Sequence, residues 1–151
     1  MELEQRVARR PHPATSRRSP PRAARRLQCT IQGGELAPDA ARRILDRFAP
    51  DLDARGLDDA RLLMSELVTN SVRHAHADSE QAIELTLSCS PQAALRVTVG
   101  DHGHGFDAAG SKQPKDTARE GGRGLFLVDA IADRWGVTNY GMTRVWFELS
   151  H

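Results

Sequence analysis

Residues 64–75 read Met64-Ser65-Glu66-Leu67-Val68-Thr69-Asn70-Ser71-Val72-Arg73-His74-Ala75. Leu63, Leu67, Ser71 and Ala75 recur every fourth residue and so form one apolar or small row along a helix. Glu66, Asn70 and His74 form a parallel row on the adjacent face. A carboxylate and an amide one turn apart make a poor ion pair but a useful chemical one. The carboxylate can take a proton from a water or hydroxyl, and the amide oxygen can ligate Mg²⁺, which takes few protein ligands and fills the rest with phosphates and water. The plainer alternative is that both face solvent.

Outward from this helix, expected over 58–77, the alternation of 82–88 and 94–100 predicts two strands joined by a turn at Ser90-Pro91. Upstream, Leu27-Gln28-Cys29-Thr30-Ile31-Gln32 alternates like a half-buried strand and stops at Gly33-Gly34. Pro38-Asp39 opens a helix whose Ala41, Ile44, Leu45 and Phe48 lie at helical spacing, and Pro50 closes it. Downstream, a polar stretch over 107–122 precedes an apolar helix over 124–135 and two strands over 136–140 and 143–149. The order is β-α-α-β-β-loop-α-β-β. Strands outnumber the crossover helices that a parallel sheet requires, so the expected fold is an α+β two-layer sandwich, its sheet mixed and mostly antiparallel with helices on one face.

The chain has 151 residues, 39% of them hydrophobic, enough for one domain with a real core. No apolar run approaches the roughly 18–20 residues a bilayer demands, so no membrane span is expected. Cys29 and Cys89 are too few for a disulfide framework, which makes a reducing cytoplasm the default. The net charge of +1 hides a polarised chain. Residues 1–26 hold eight arginines against Glu2 and Glu4, whereas 27–151 hold thirteen basic and eighteen acidic residues. The Arg/Pro-rich 1–26 cannot bury enough surface to order itself and is expected to be a disordered tail ahead of a domain over 27–151. Nucleic acid is expected to meet this chain only through that tail.

Two further stretches carry candidate chemistry. Val97-Thr98-Val99-Gly100-Asp101-His102-Gly103-His104-Gly105-Phe106 runs a strand into Asp-x-Gly-x-Gly. Its glycines let the backbone approach a flat ligand, and a carboxylate at the strand end can accept from an exocyclic amino group. The alternative is a glycine-rich hairpin with a solvated aspartate. Gly103-x-Gly105-x-x-Ala108 matches the dinucleotide fingerprint in form, but 107–114 is a poor helix, so no Rossmann unit is expected. Glu120-Gly121-Gly122-Arg123-Gly124-Leu125 leads into the last helix, where outward N–H groups and the helix dipole favour an anion. Arg123 can reach a phosphate there. The competing view is a linker into a core helix. The long polar stretch before it, holding Lys112 and Lys115, favours a functional lid. His74-x-His76 and His102-x-His104 are not expected to make a zinc site: residues two apart on a helix diverge, and no cysteine or carboxylate cluster supports one.

In this order and at these distances, the three boxes resemble the GHKL ATPase superfamily shared by gyrases, heat-shock chaperones, histidine kinases and mismatch-repair ATPases. The run 64–75 and the closing Val145-Trp146-Phe147-Glu148-Leu149 look like the anti-sigma-factor serine kinases and their stand-alone bacterial relatives. The resemblance covers roughly 27–149. It implies a Bergerat ATP-binding fold with ATP and Mg²⁺ as cofactors, Glu66 as general base and Asn70 as the Mg²⁺-ligating amide. It implies Asp101 as the adenine-reading carboxylate with Gly103 and Gly105 beside it. Gly122, Arg123, Gly124 and Leu125 fall in the phosphate box, and Thr143 lies near the threonine that supports adenine, with Gly141-Met142-Thr143 one residue longer than usual.

The implied activity is a cytoplasmic protein serine/threonine kinase that phosphorylates a small anti-anti-sigma (STAS-type) protein and sequesters a sigma factor. Family members often pair as homodimers. The alternative is a non-catalytic ATP-binding regulatory module that grips its partner in a nucleotide-dependent way.

Overall fold

The computed structural model describes residues 23–74, 81–91, 93–102 and 123–150. The expectations for most of the tail, for Gly103, Gly105 and Gly122, for the 107–122 stretch, and for the side chains of His74 and Arg123 lie outside the described residues.

Five strands form one sheet: β1 (Arg25–Gln32), β2 (Ala82–Ser90), β3 (Ala93–Asp101), β4 (Arg134–Asn139) and β5 (Thr143–Leu149). Their order is β1-β2-β3-β5-β4, and every neighbouring pair is antiparallel. After β3 the chain passes through α3 (Arg123–Ile131), lays β4 at the sheet edge and returns with β5 in the gap. With α1 (Ala37–Leu45) and α2 (Ala54–His74), α3 lies on one face of the sheet. This is the expected α+β two-layer sandwich, and its strand pairs are all antiparallel rather than mixed.

Alternation decides which face is buried. Ile83, Leu85 and Leu87 of β2, Leu95, Val97 and Val99 of β3, and Phe147 and Leu149 of β5 turn inward onto the helices. Ala41 and Leu45 of α1 and Ala60, Leu63, Met64, Leu67 and Val68 of α2 meet them. Packing this apolar surface out of water is the main force holding the two layers together. No helix among the described residues is long and apolar enough to cross a membrane.

Several boundaries differ from the periodicity: β2 runs on to Ser90, β3 spans Ala93–Asp101 and β4 spans Arg134–Asn139, and four others have a local reason. Strand β1 starts two residues before Leu27, because Arg25 pairs with Asp51 at 2.6 Å and lies over the Phe48 ring, 5.0 Å from its centroid. The first helix ends as α at Leu45 and tightens into a 3-10 turn over Asp46–Asp51, which keeps Phe48 buried and carries Pro50. Helix α2 opens at Ala54 rather than 58, since the Asp53 carboxylate accepts from the Gly56 N–H at 2.6 Å and satisfies a first-turn donor. Helix α3 stops at Ile131 because Trp135 is already paired with Phe147 in the β4–β5 ladder.

Candidate functional site

Within α2, Leu63, Leu67 and Ser71 are buried, as the four-residue spacing predicts, and this row holds the helix to the layer beneath. The neighbouring row, Glu66 and Asn70, is half-buried at the margin of that contact. Asn70 faces the start of α3. A Cβ built on Gly124 would collide with the Asn70 side-chain amide, with Cγ at 3.3 Å and Oδ1 at 3.5 Å. The missing side chain at Gly124 leaves room for the Asn70 amide in this position. Leu125 and Val128, both buried, anchor α3 in that position. Asn70 of the first stretch and Gly124 of the third are thus brought into contact.

The second box lies at the end of the sheet. Asp101 is the last residue of β3 and Thr143 the first of β5, and the two are direct partners in register. They are 8% and 7% exposed, two of the three buried polar or charged residues described. Alternation from Val97 and Val99 turns Asp101 to the helix side, and alternation from Phe147 does the same for Thr143. A carboxylate beside a hydroxyl at a sheltered strand end can read an amino-bearing ring through charge-assisted and neutral hydrogen bonds.

The extra residue in Gly141-Met142-Thr143 is absorbed by the hairpin. Asn139 pairs with Thr143, the Tyr140 N–H donates to the Met142 carbonyl at 3.2 Å, and Gly141 takes φ +67° in the turn. The insertion thus leaves Thr143 level with Asp101. Two residues escaped the sequence reading: Asn139, which continues this row onto β4, and Met142, buried against Gly100 on the far side of the sheet from the helices. The turn chemistry of Tyr140-Gly141 was the available signal for both.

Helix α2 packs on α3, on β3 and on β5, so the elements bearing Glu66, Asn70, Gly124, Asp101 and Thr143 adjoin one another. A concavity of about 450 Å³ also exists, but on the opposite face of the sheet.

The histidine kinase-like ATPase domain family matches residues 35–148, and the chain belongs to it. It is 32% identical over 97 residues to a protein named serine-protein kinase RsbW from Oceanobacillus iheyensis, covering 57% of this chain and 61% of that one. It is 29% identical over 104 residues to the RsbW of Staphylococcus aureus strain JH9, covering 62% and 64%. The match therefore spans somewhat under two thirds of each relative. Among solved structures, the RsbU and RsbW domains of Rv1364c from Mycobacterium tuberculosis share the fold. The TM-score is 0.63 at 19% identity, over 82% of this chain and 32% of that one. The histidine kinase domain from Erythrobacter litoralis EL346 follows at TM-score 0.50 and 24% identity, over 75% and 60%.

Proposed function

We propose that this chain is an ATP- and Mg²⁺-dependent protein serine kinase of the anti-sigma-factor type. It acts in the cytoplasm on a serine of a small anti-anti-sigma protein and alternately holds a sigma factor. The observation that carries the proposal is the Glu66–Asn70 pair, one helical turn apart, with Asn70 seated on Gly124. The family membership and the serine kinase relatives support it.

The residues fit the nucleotide. Asn70, whose amide lies against Gly124, would offer its Oδ1 to Mg²⁺. The buried Asp101 carboxylate would accept from the adenine amino group, with Thr143 beside it, and Gly103 and Gly105 follow Asp101 in the sequence. Gly122, Arg123, Gly124 and Leu125, where α3 begins, would hold the phosphates through backbone N–H groups and the guanidinium. When bound, the nucleotide and its Mg²⁺ supply the phosphoryl group and neutralise its charge. Glu66 takes the proton from the attacking serine hydroxyl, the general-base role its place on the helix permits.

A pull-down from the native cytoplasm with ATP and Mg²⁺, followed by phosphosite mapping, tests the proposal. Phosphoserine on a small retained protein, absent with Glu66→Gln, is the expected result. Retention of the partner without phosphate would instead make the chain a nucleotide-gated binding module.

A further inference from the structure

The sheet face turned away from the helices is built as three cross-strand rows. Register sets Arg26, Ser88, Arg96, Glu148 and Arg134 in one row, and Gln28, Thr86, Thr98, Trp146 and Gly136 in the next. Glu84, Arg144 and Thr138 stand in the third. All of these but Glu148 and Gly136 line the 450 Å³ concavity. Its floor is a neutral strip of amide, hydroxyl and indole groups between rows that carry four arginines and two glutamates.

Of the two carboxylates, Glu148 is spent within the face, while the Glu84 side chain is as open as that of Arg144, 38% against 39% exposed. Glu148 is held by Arg96 at 2.8 Å and by Arg134 at 3.4 Å, and only 17% of its side chain is exposed. Glu84 lies 3.8 Å from Arg144. The side chains of Arg96, Arg134 and Arg144 keep 39–51% of their surface in solvent, and Arg26 is exposed. The surface thus presents guanidinium groups on a domain whose sequence over 27–151 is otherwise acidic. In the first row they recur on β1, β3 and β4, every second strand, a spacing of roughly 9–10 Å.

We propose that this face docks an acidic, extended segment of a partner protein, laid across the strands along the Gln28–Trp146 row with its carboxylates on the flanking arginines. Charge complementarity selects this occupant. A second copy would bring arginines against arginines, and residues 1–22 of the chain itself carry six arginines to two glutamates. Single-stranded nucleic acid needs open aromatic faces on which bases stack. Trp146, the one aromatic side chain among the residues lining the concavity, is 8% exposed beneath the Arg96 guanidinium, 3.9 Å from its ring centroid.

The test is fluorescence anisotropy of a labelled oligo-glutamate peptide with the full chain at near-physiological salt and without nucleotide, so its result stands apart from the kinase assignment. Saturable binding is expected, weakened roughly tenfold by Arg26→Glu with Arg144→Glu. Arg55→Glu, an equally drastic change on the helix side of the molecule, should leave it unchanged. Should the double reversal fail to fold, Arg26→Gln with Arg144→Gln is expected to weaken binding in the same sense. Equal affinity in all variants would overturn the proposal. Tighter binding of a single-stranded oligonucleotide of equal charge would do so too, as would sedimentation showing that the double variant turns a dimer into a monomer.

Discussion

Asn70 and Gly124 touch: a β-carbon on Gly124 would come too close to the end of the Asn70 side-chain amide to be accommodated unless that amide shifts. The two residues are far apart in the chain, on different helices, and the glycine gives the asparagine its seat.

Gly124→Ala is accordingly expected to displace the Asn70 side chain. A displaced amide would no longer sit beside the start of α3, so affinity for ATP with Mg²⁺ should fall roughly tenfold. Calorimetric titration measures it, and wild-type affinity would mean the Asn70 seat plays no part in binding.

Glu66→Gln keeps the shape of the side chain and removes its basicity. Phosphotransfer should drop about a hundredfold or more, with nucleotide binding largely retained. Single-turnover transfer to the acceptor, compared with calorimetry on the same variant, separates the two.

On the other face, Gly136 lies beneath the Trp146 indole, where a Cβ would meet Cε2, Cζ2 and Nε1 at 2.9 Å. The indole is confined by the neighbouring ladder and by Arg96. Gly136→Ala should therefore destabilise the domain by about 1–3 kcal/mol, lowering Tm by roughly 2–4 °C per kcal/mol. A melting curve superimposable on wild type would show that the strand yields instead.

Burial raises the Cys29 thiol above its ordinary 9.0, with Arg47 offsetting part of the rise. The folded chain then holds this proton more tightly than the unfolded one. The resulting stabilisation is complete below the ordinary value and is lost as pH climbs through the raised one. Denaturant titrations across alkaline pH should show stability falling less steeply in Cys29→Ser than in the wild type.

The helical spacing of Leu63, Leu67 and Ser71 and the alternation of β2, β3 and β5 made the two layers legible in the sequence, since both patterns record which side is buried. Boundaries were less legible, because single contacts decide them. Asp53 capping the Gly56 N–H opens α2 early, and Arg25 on Phe48 and Asp51 lengthens β1. Within the candidate site, the motifs located Asn70, Asp101 and Gly124. The pairing of Thr143 with Asp101 needed the register, since the extra residue beside Gly141 obscured the spacing. The arginine rows could not be seen in sequence at all. Arg26, Arg96, Arg134 and Arg144 sit on four strands that only the folded order brings side by side.

The central claim is that a purine nucleotide is read at the end of β3, and calorimetric titration of the wild type and Asp101→Asn with ATP and Mg²⁺ tests it most directly. The wild type should bind one equivalent. The variant, which offers an amide where the charged acceptor stood, should bind roughly tenfold to a hundredfold more weakly. No heat with the wild type, or the same dissociation constant in both, would contradict the account.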